Sequence, residues 1–197
     1  MSKASETRIN ILHKAFELIY TKGYQATSID DIIATTKVTK GAFFYHFKNK
    51  DEMGLAVINE IMAPVANNKS FTDLEKSTNP VKDIYDLMKY LLLSHPFMEA
   101  KYGCPAANLT QEMSPISDEF AAALNTLVKQ WHNSIEKSIQ LGKKSGLLKS
   151  NTNATQVAFF VMSGYWGIRN FGKLYGSDTC YPAYLKELKN YLKNLAA

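Results

Sequence analysis

The sequence predicts an all-α protein in two parts, and three observations carry that prediction. Apolar residues recur at helical spacing through most of the chain, no stretch alternates as a strand would, and glycines and prolines fall between the periodic segments. The expected layout is a three-helix head followed by a helical bundle, about nine helices in all.

The first helix is expected over residues 6–22, with Ile9, Leu12, Phe16 and Ile19 on one face, Asn10, Lys14 and Glu17 on the other, and Gly23 as its C-terminal cap. Ser28 is the N-cap of a second helix. Asp31, three residues on, makes a weaker form of a capping box, and Ile29, Ile32 and Ile33 point inward. A tight turn at Thr36-Lys37-Val38 leads to Thr39, the cap of a short third helix whose Phe43 and Phe47 pack on the first. Asn49 with Glu52 opens a fourth helix, carried by Met53, Val57 and Ile61. Pro64 and the polar run Asn67-Asn68-Lys69-Ser70 kink or end it. Longer helices follow over 81–93, stopped by His95-Pro96, and a short one over 105–113. The helix over 117–141 places Phe120, Leu124, Leu127, Trp131 and Ile135 on one face, and two more run over 153–175 and 182–195.

Composition narrows the function classes. With 197 residues, 46% of them hydrophobic, the chain can bury a core. No uninterrupted apolar run reaches about 18 residues, so no membrane span is expected, and the N-terminus lacks the apolar segment of a secretory signal. Cys104 and Cys180 lie far apart, which fits reduced thiols in the cytoplasm better than a disulfide framework. His13, His46, His95 and His132 have no metal-ligand spacing. Ser163 lies in Met-Ser-Gly rather than in a nucleophile elbow, and nothing pairs a nucleophile with a base. Neither an enzyme nor a metal or cofactor site is expected. The net charge is +5, and residues 1–50 hold 8 Lys/Arg against 4 Asp/Glu, so +4 of it sits in the first quarter of the chain. A basic patch so placed favours a polyanion.

Residues 27–50 give that patch a shape. In a helix-turn-helix the second short helix enters the major groove while the first crosses the backbone. The side of residues 40–46 opposite Phe43 and Phe47 then faces DNA. Lys40 suits guanine O6/N7 as a point charge, Ala42 a thymine methyl, and Tyr45 and His46 the phosphates. Thr39 and the amides beside it also suit a phosphate, and Lys50 is placed to hold the flanking backbone. A helix built for packing alone would not surround Phe43-Phe44-Tyr45-His46-Phe47 with Lys37, Lys40, Lys48 and Lys50.

Residues 5–65 resemble the DNA-binding domain of the TetR/AcrR family of bacterial transcriptional regulators. That family's pattern runs Thr, an Ile-Ala-rich helix, Gly-Val-Ser-Lys-Gly, an aromatic string ending Tyr/His-Phe, then Ser-Lys-Glu. This chain has Thr27-Ser28-Ile29, Val38-Thr39-Lys40-Gly41, the aromatic string 43–47 and Asn49-Lys50-Asp51. The resemblance implies a DNA-binding domain over 5–65, with its motif over 28–47, and a ligand-binding and dimerisation domain over 66–197. The DNA-contacting set it implies is Thr27, Lys37, Thr39, Lys40, Gly41, Ala42, Phe44, Tyr45, His46 and Lys50. Two departures matter. Lys37 stands where the family usually has Gly, at a cost of about 1 kcal/mol if the residue is left-handed. Phe44 stands where Tyr is favoured, so that hydroxyl's bond to a phosphate is absent. Arg8 is the only arginine in the domain, which leaves base readout to methyl contacts and DNA shape rather than bidentate Arg–guanine pairs.

One short recognition helix reads few base pairs, so a homodimer on a palindromic double-stranded operator is expected. Phe160, Ser163, Gly164, Gly167 and Phe171 recur at helical spacing, the small members admitting a partner helix, and Tyr184, Leu188, Tyr191 and Leu195 follow on the last helix. The resemblance implies a four-helix interface from these two helices; the alternative is that both stripes face the chain's own core. Tyr102, Trp131, Phe159, Met162, Tyr165 and Trp166, with Phe97, suggest a ligand chamber. Arg169, the one arginine after Arg8, suits either a ligand carboxylate or a surface ion pair. The expected protein is a ligand-responsive regulator, by resemblance a repressor released by a small, largely apolar molecule. The alternative is a thiol-based redox sensor acting through Cys104, in Tyr-Gly-Cys-Pro near a helix start.

Overall fold

Capping side chains decide where the N-terminal helices begin. In the computed structural model, which describes residues 2–66 and 69–197, α1 spans Lys3–Lys22, starting ahead of its apolar period because Ser2 Oγ accepts the Ser5 amide. It stops at Gly23, whose φ of 97° is open to glycine and strained for other residues. α2 spans Ile29–Thr36 behind a complete capping box. The Asp31 amide donates to Ser28 Oγ at 3.0 Å and the Ser28 amide to Asp31 Oδ2 at 2.9 Å. The Ser28 hydroxyl and amide together hold the Asp31 carboxyl below the usual aspartate range. Only Ile32 of the three isoleucines is fully buried; Ile29 and Ile33 flank it at the edge of the core.

Lys37 ends α2 at φ 57°, ψ 21°, and is the one left-handed non-glycine residue among those described. α3, Lys40–His46, starts where Thr39 Oγ1 accepts the Ala42 amide at 3.1 Å. α4, Lys50–Ala56, starts where Asn49 Oδ1 accepts the Glu52 amide at 2.8 Å. A π-helical turn, Val57–Met62, carries α4 into α5, Ala63–Ala66. Pro64 lies in α5, directly after that turn. The wider turn before it takes up the crowding that a proline ring imposes one turn back. The Asn67-Asn68 part of the expected break lies outside the described residues.

The remaining helices are α6 Lys69–Leu74, α7 Pro80–Leu93, α8 Pro105–Met113, α9 Asp118–Lys144, α10 Ala154–Tyr175 and α11 Ser177–Lys193, with a 3₁₀ turn at Ala100–Tyr102. α11 begins well before Pro182, because Gly176 at φ 78° separates it from α10 and helix resumes at once. Apart from one isolated bridge, Leu148 to Ala196, the regular structure of the described residues is helical.

These elements form two compact units, Met1–Val65 with Pro105–Leu127, and Ala66–Cys104 with Val128–Ala197. Residues 105–127, expected in the second domain, group with the N-terminal helices. In the first unit Ile11, Leu12, Ala15 and Ile19 of α1 are buried with Ile32, Phe43, Phe47, Met53 and Ile58. Arg8 lies 4.9 Å over the Phe47 ring and forks onto Glu60.

The turn after α1 explains why residues 105–127 join this unit. Glu112 of α8 accepts the Tyr24 amide at 2.9 Å and the Gln25 amide at 2.6 Å. Tyr24 is buried, edge-on to Phe120 at 4.9 Å, and its hydroxyl donates to Asp51. Burial, reinforced by that bond, pushes the phenol above its ordinary pKa. Gly54 makes room for this contact, since a Cβ there would stand 2.6 Å from Tyr24 and 2.7 Å from Phe120. In the second unit α7 packs on α6 and α11, and α10 on α11, burying Ile84, Leu87, Met88 and Leu91 with Leu185, Leu188 and Leu192.

Two stability changes follow. Lys37→Gly relieves a left-handed lysine and should raise stability by up to about 1 kcal/mol, read as a higher urea midpoint; an unchanged or lower midpoint would contradict the strain. Glu112→Gln turns an amide N–H toward a main-chain N–H and should cost about 1–3 kcal/mol. Calorimetry should then show Tm lower by roughly 2–4 °C for each kcal/mol, and an unaltered Tm would show that the two bonds contribute nothing.

Candidate nucleic-acid interface

The geometry of α3 follows from the spacing of its aromatics. Phe43 and Phe47, one turn apart, are buried, so Tyr45, two residues from each, is turned to the opposite side and is 77% exposed. Phe44 and His46 lie on the flanks. Phe44 is 46% exposed and edge-on to Phe43 at 5.4 Å, and the half-buried His46 ring meets Tyr45 at 4.9 Å. Lys37, Thr39, Lys40 and Gly41 are exposed at the start of the helix, with Ala42 half-buried. Lys40 Nζ sits 3.1 Å from Asp30 Oδ1, both in solvent. Such an exposed pair is weak and is readily exchanged for a phosphate or a base edge. The Thr39 hydroxyl caps Ala42 through its oxygen and keeps its own proton to donate.

Two residues of the expected DNA-contacting set are turned elsewhere. Thr27 is fully buried and donates its hydroxyl to the Gly23 carbonyl at 2.7 Å, so it fastens the turn after α1 rather than meeting solvent. Lys50 is half-buried, its Nζ 4.4 Å over the Tyr24 ring and 3.5 Å from the Gln25 carbonyl, and burial lowers the pKa of its ammonium. Nothing local marks Glu112, which lies 88 residues from Tyr24.

The expected chamber residues divide as well. Trp131, Met162, Tyr165 and Arg169 are buried, with the Trp131 and Tyr165 rings edge-on at 5.1 Å and Arg169 Nη1 3.2 Å from Tyr181 Oη. Tyr102 and Trp166 are half-buried. Phe159 is 64% exposed against the His132 ring, and Phe97 is also exposed, so neither lies in that buried set. Arg169 is not a surface ion pair, being completely buried.

Of the expected dimer stripe, Phe160, Ser163 and Phe171 are exposed and Gly167 faces open space. Gly164 instead receives Tyr184 of its own chain, where a Cβ would stand 2.9 Å from the ring, and Leu188 is buried in the unit's own core. The Tyr191 and Phe160 rings lie tilted against each other at 4.2 Å, and Leu195 is half-buried. Leu174 and Tyr175 extend the exposed apolar face. Leu174 stands three residues after Phe171, a continuation of the stripe that was readable in the sequence.

Cys104 is buried and Cys180 half-buried, and neither is in a disulfide. Among the described residues no cluster of three or more His, Cys, Asp or Glu could hold a metal ion, and no helix is long and apolar enough to cross a membrane.

Comparison with known proteins gives this arrangement its family. The model of the bacterial regulatory proteins, tetR family, matches residues 11–57, and that of the tetracyclin repressor-like C-terminal domain matches residues 86–188. An uncharacterised HTH-type transcriptional regulator in the lacX 3′ region of Lactococcus lactis subsp. lactis is 31% identical over 159 residues, 80% of each chain. The HTH-type transcriptional repressor DhaR of Mycobacterium sp. (strain GP1) is 26% identical over 81% of this chain and 79% of its own. A TetR transcriptional regulator from Chloroflexus aurantiacus J-10-FL has the same fold, with a TM-score of 0.87 at 22% identity over 100% of this chain and 98% of that one. These relatives are transcriptional regulators rather than enzymes. With a helix-turn-helix head, a helical second unit and family matches in both, the chain belongs to the TetR family of DNA-binding bacterial transcriptional regulators.

Proposed function

We propose that the chain is a homodimeric repressor of the cytoplasm, and that a small, largely apolar molecule bound in the second unit releases it from a palindromic operator. The observation that carries the reading is the outward face of α3. Tyr45 is largely exposed and Phe44 half so, beside exposed Lys37 and Lys40, on a helix whose other side is committed to the core. Lys40 reads a base edge, and Lys37, Thr39, Tyr45 and His46 hold phosphates. The repressor DhaR, a relative by sequence, supports repression as the default sense. The exposed Phe160, Phe171 and Leu174 supply an apolar face for a second copy. Release requires only that the effector bind more tightly to an arrangement that does not fit the operator. A difference of about 1–3 kcal/mol shifts operator affinity about 5–150-fold. A redox reading through Cys104 has less support, because the thiol is 6% exposed and so shielded from oxidants.

Footprinting on DNA upstream of the chain's own gene tests the reading directly. A protected, two-fold symmetric site is expected, and no protection anywhere in that region at low salt would overturn it. On such a site Lys40→Ala should cost about 1–3 kcal/mol at one base position and relax the preference there. Tyr45→Ala should weaken all sequences alike, and equal losses at every sequence for both variants would remove the base-reading role from Lys40. Phe171→Arg should raise the dimer dissociation constant at least about tenfold by placing a charge in the apolar face. Sedimentation velocity reads this, and a wild-type chain that stays monomeric at micromolar concentration would exclude the dimer.

A further inference from the structure

We propose that Arg169 is the head-group site for the effector, and that the effector is a monocarboxylate with an apolar body. The proposal rests on the ligand-released reading above and names the class of ligand.

Arg169 is 0% exposed and the largest of the fully buried side chains. Its guanidinium stays charged at any physiological pH, and a charge taken out of water needs an opposite charge or a full set of hydrogen bonds. It has neither. Nη1 donates to the Tyr181 hydroxyl, a neutral phenol, at 3.2 Å. Nε and Nη2 are buried and meet no acceptor among the described residues. The groups that face it are the Tyr165 and Tyr181 rings, each 5.9 Å from Cζ, with Cys104 and His95 nearby, and none of them is a carboxylate. Burial is the largest single influence and opposes the charge, and Tyr165, Tyr181 and Cys104 together more than offset it without supplying a carboxylate.

The identity of the two unpaired donors is informative. Nε and Nη2 occupy one edge of the guanidinium plane and point the same way, which is the fork that a carboxylate meets with two parallel hydrogen bonds. A phosphate or sulfate would need donors for further oxygens, and the neighbours offer aromatic and thioether surface instead. Tyr165 Oη points to Met98 Sδ at 3.6 Å, and the Trp131 ring lies edge-on to Tyr165 at 5.1 Å. Aromatic and thioether groups of this kind suit a hydrocarbon chain or ring behind the acid group. Tyr181 is itself held in place, since its hydroxyl lies against Gly172, where a Cβ would stand only 2.6 Å away.

The test uses the full chain. Octanoate, hexanoate and benzoate are titrated beside octanamide, hexanamide and benzamide, with sodium phosphate as the ion control. Thermal shift without DNA reads binding, and fluorescence anisotropy on the footprinted operator reads release. The acids should raise Tm and release DNA at concentrations at least about tenfold below the amides of the same shape, and phosphate should do neither. Arg169→Met should erase the difference between acid and amide. If that variant does not fold, the acid-to-amide ratio of the wild-type chain decides alone. Equal potency of acids and amides, a response to phosphate equal to that to the acids, or no Tm shift with any acid would overturn the carboxylate assignment. If neutral compounds still release the operator, the ligand-released repressor stands without it. Failure to bind any operator while the acids still raise Tm would overturn the repressor reading and leave the carboxylate site.

Discussion

The recognition helix cannot hold itself together. α2 has 8 residues and α3 has 7, whereas isolated helices shorter than about 12–15 residues are marginal in water. Their helicity is therefore borrowed from packing against α1, and Phe43 and Phe47 are the residues through which α3 borrows it. Each such burial contributes about 1.5–3 kcal/mol. The same contact fixes orientation. With Phe43 and Phe47 turned inward, Tyr45 lies about 200° around the helix from both and has only solvent to face. Core packing and display of the DNA-facing side chains are one constraint, so a change at either phenylalanine would be felt by every outward residue of α3.

Around that constraint the head uses polar groups where apolar packing cannot reach. The end of α1 and the turn at Gly23 leave main-chain amides at Tyr24 and Gln25, and the Glu112 carboxylate takes both. A charged acceptor on two neutral donors is among the stronger hydrogen-bond arrangements available to a protein. Tyr24 then sits between the Phe120 edge and the Lys50 ammonium with its hydroxyl on Asp51. Lys50 is thereby held over the Tyr24 ring. An ammonium beside an aromatic face and a carbonyl gives up part of its hydration for a fixed position.

How much of this the sequence disclosed depends on the range of the interactions. Caps act within three residues, so Ser28, Thr39 and Asn49 marked their helices correctly, and the whole 7-residue recognition helix could be read from them and from the i, i+4 pair Phe43 and Phe47. The stripe Phe120, Leu124, Leu127, Trp131 and Ile135 was equally legible, and all five are buried. What depended on distant partners was not. Thr27 reads as exposed until the Gly23 carbonyl is seen beside it, and nothing local to Lys50 shows the Tyr24 ring beneath its ammonium. Gly164 reads as a seat for a partner helix because its real neighbour, Tyr184, lies 20 positions away on the next helix. Pro182 was read as a helix start, yet Gly176 had already reset the backbone.

α10 shows why those distant contacts matter. Val157, Ala158, Val161, Met162, Tyr165, Arg169 and Gly172 form its buried side, and Phe160, Ser163, Phe171 and Leu174 its exposed side. Arg169 stands two residues from both Gly167 and Phe171, so its guanidinium and the exposed apolar face lie on opposite sides of the same helix. A helix of 22 residues moves largely as a body, and its packed side has discrete rather than continuous arrangements. On the proposed reading, an anion that draws Arg169 toward itself must carry the outer face with it. On that reading a rotation or slide there would change how the exposed faces of two copies meet. Binding and release then share one mechanical element, and the buried arginine is the point at which the ligand's charge acts on it.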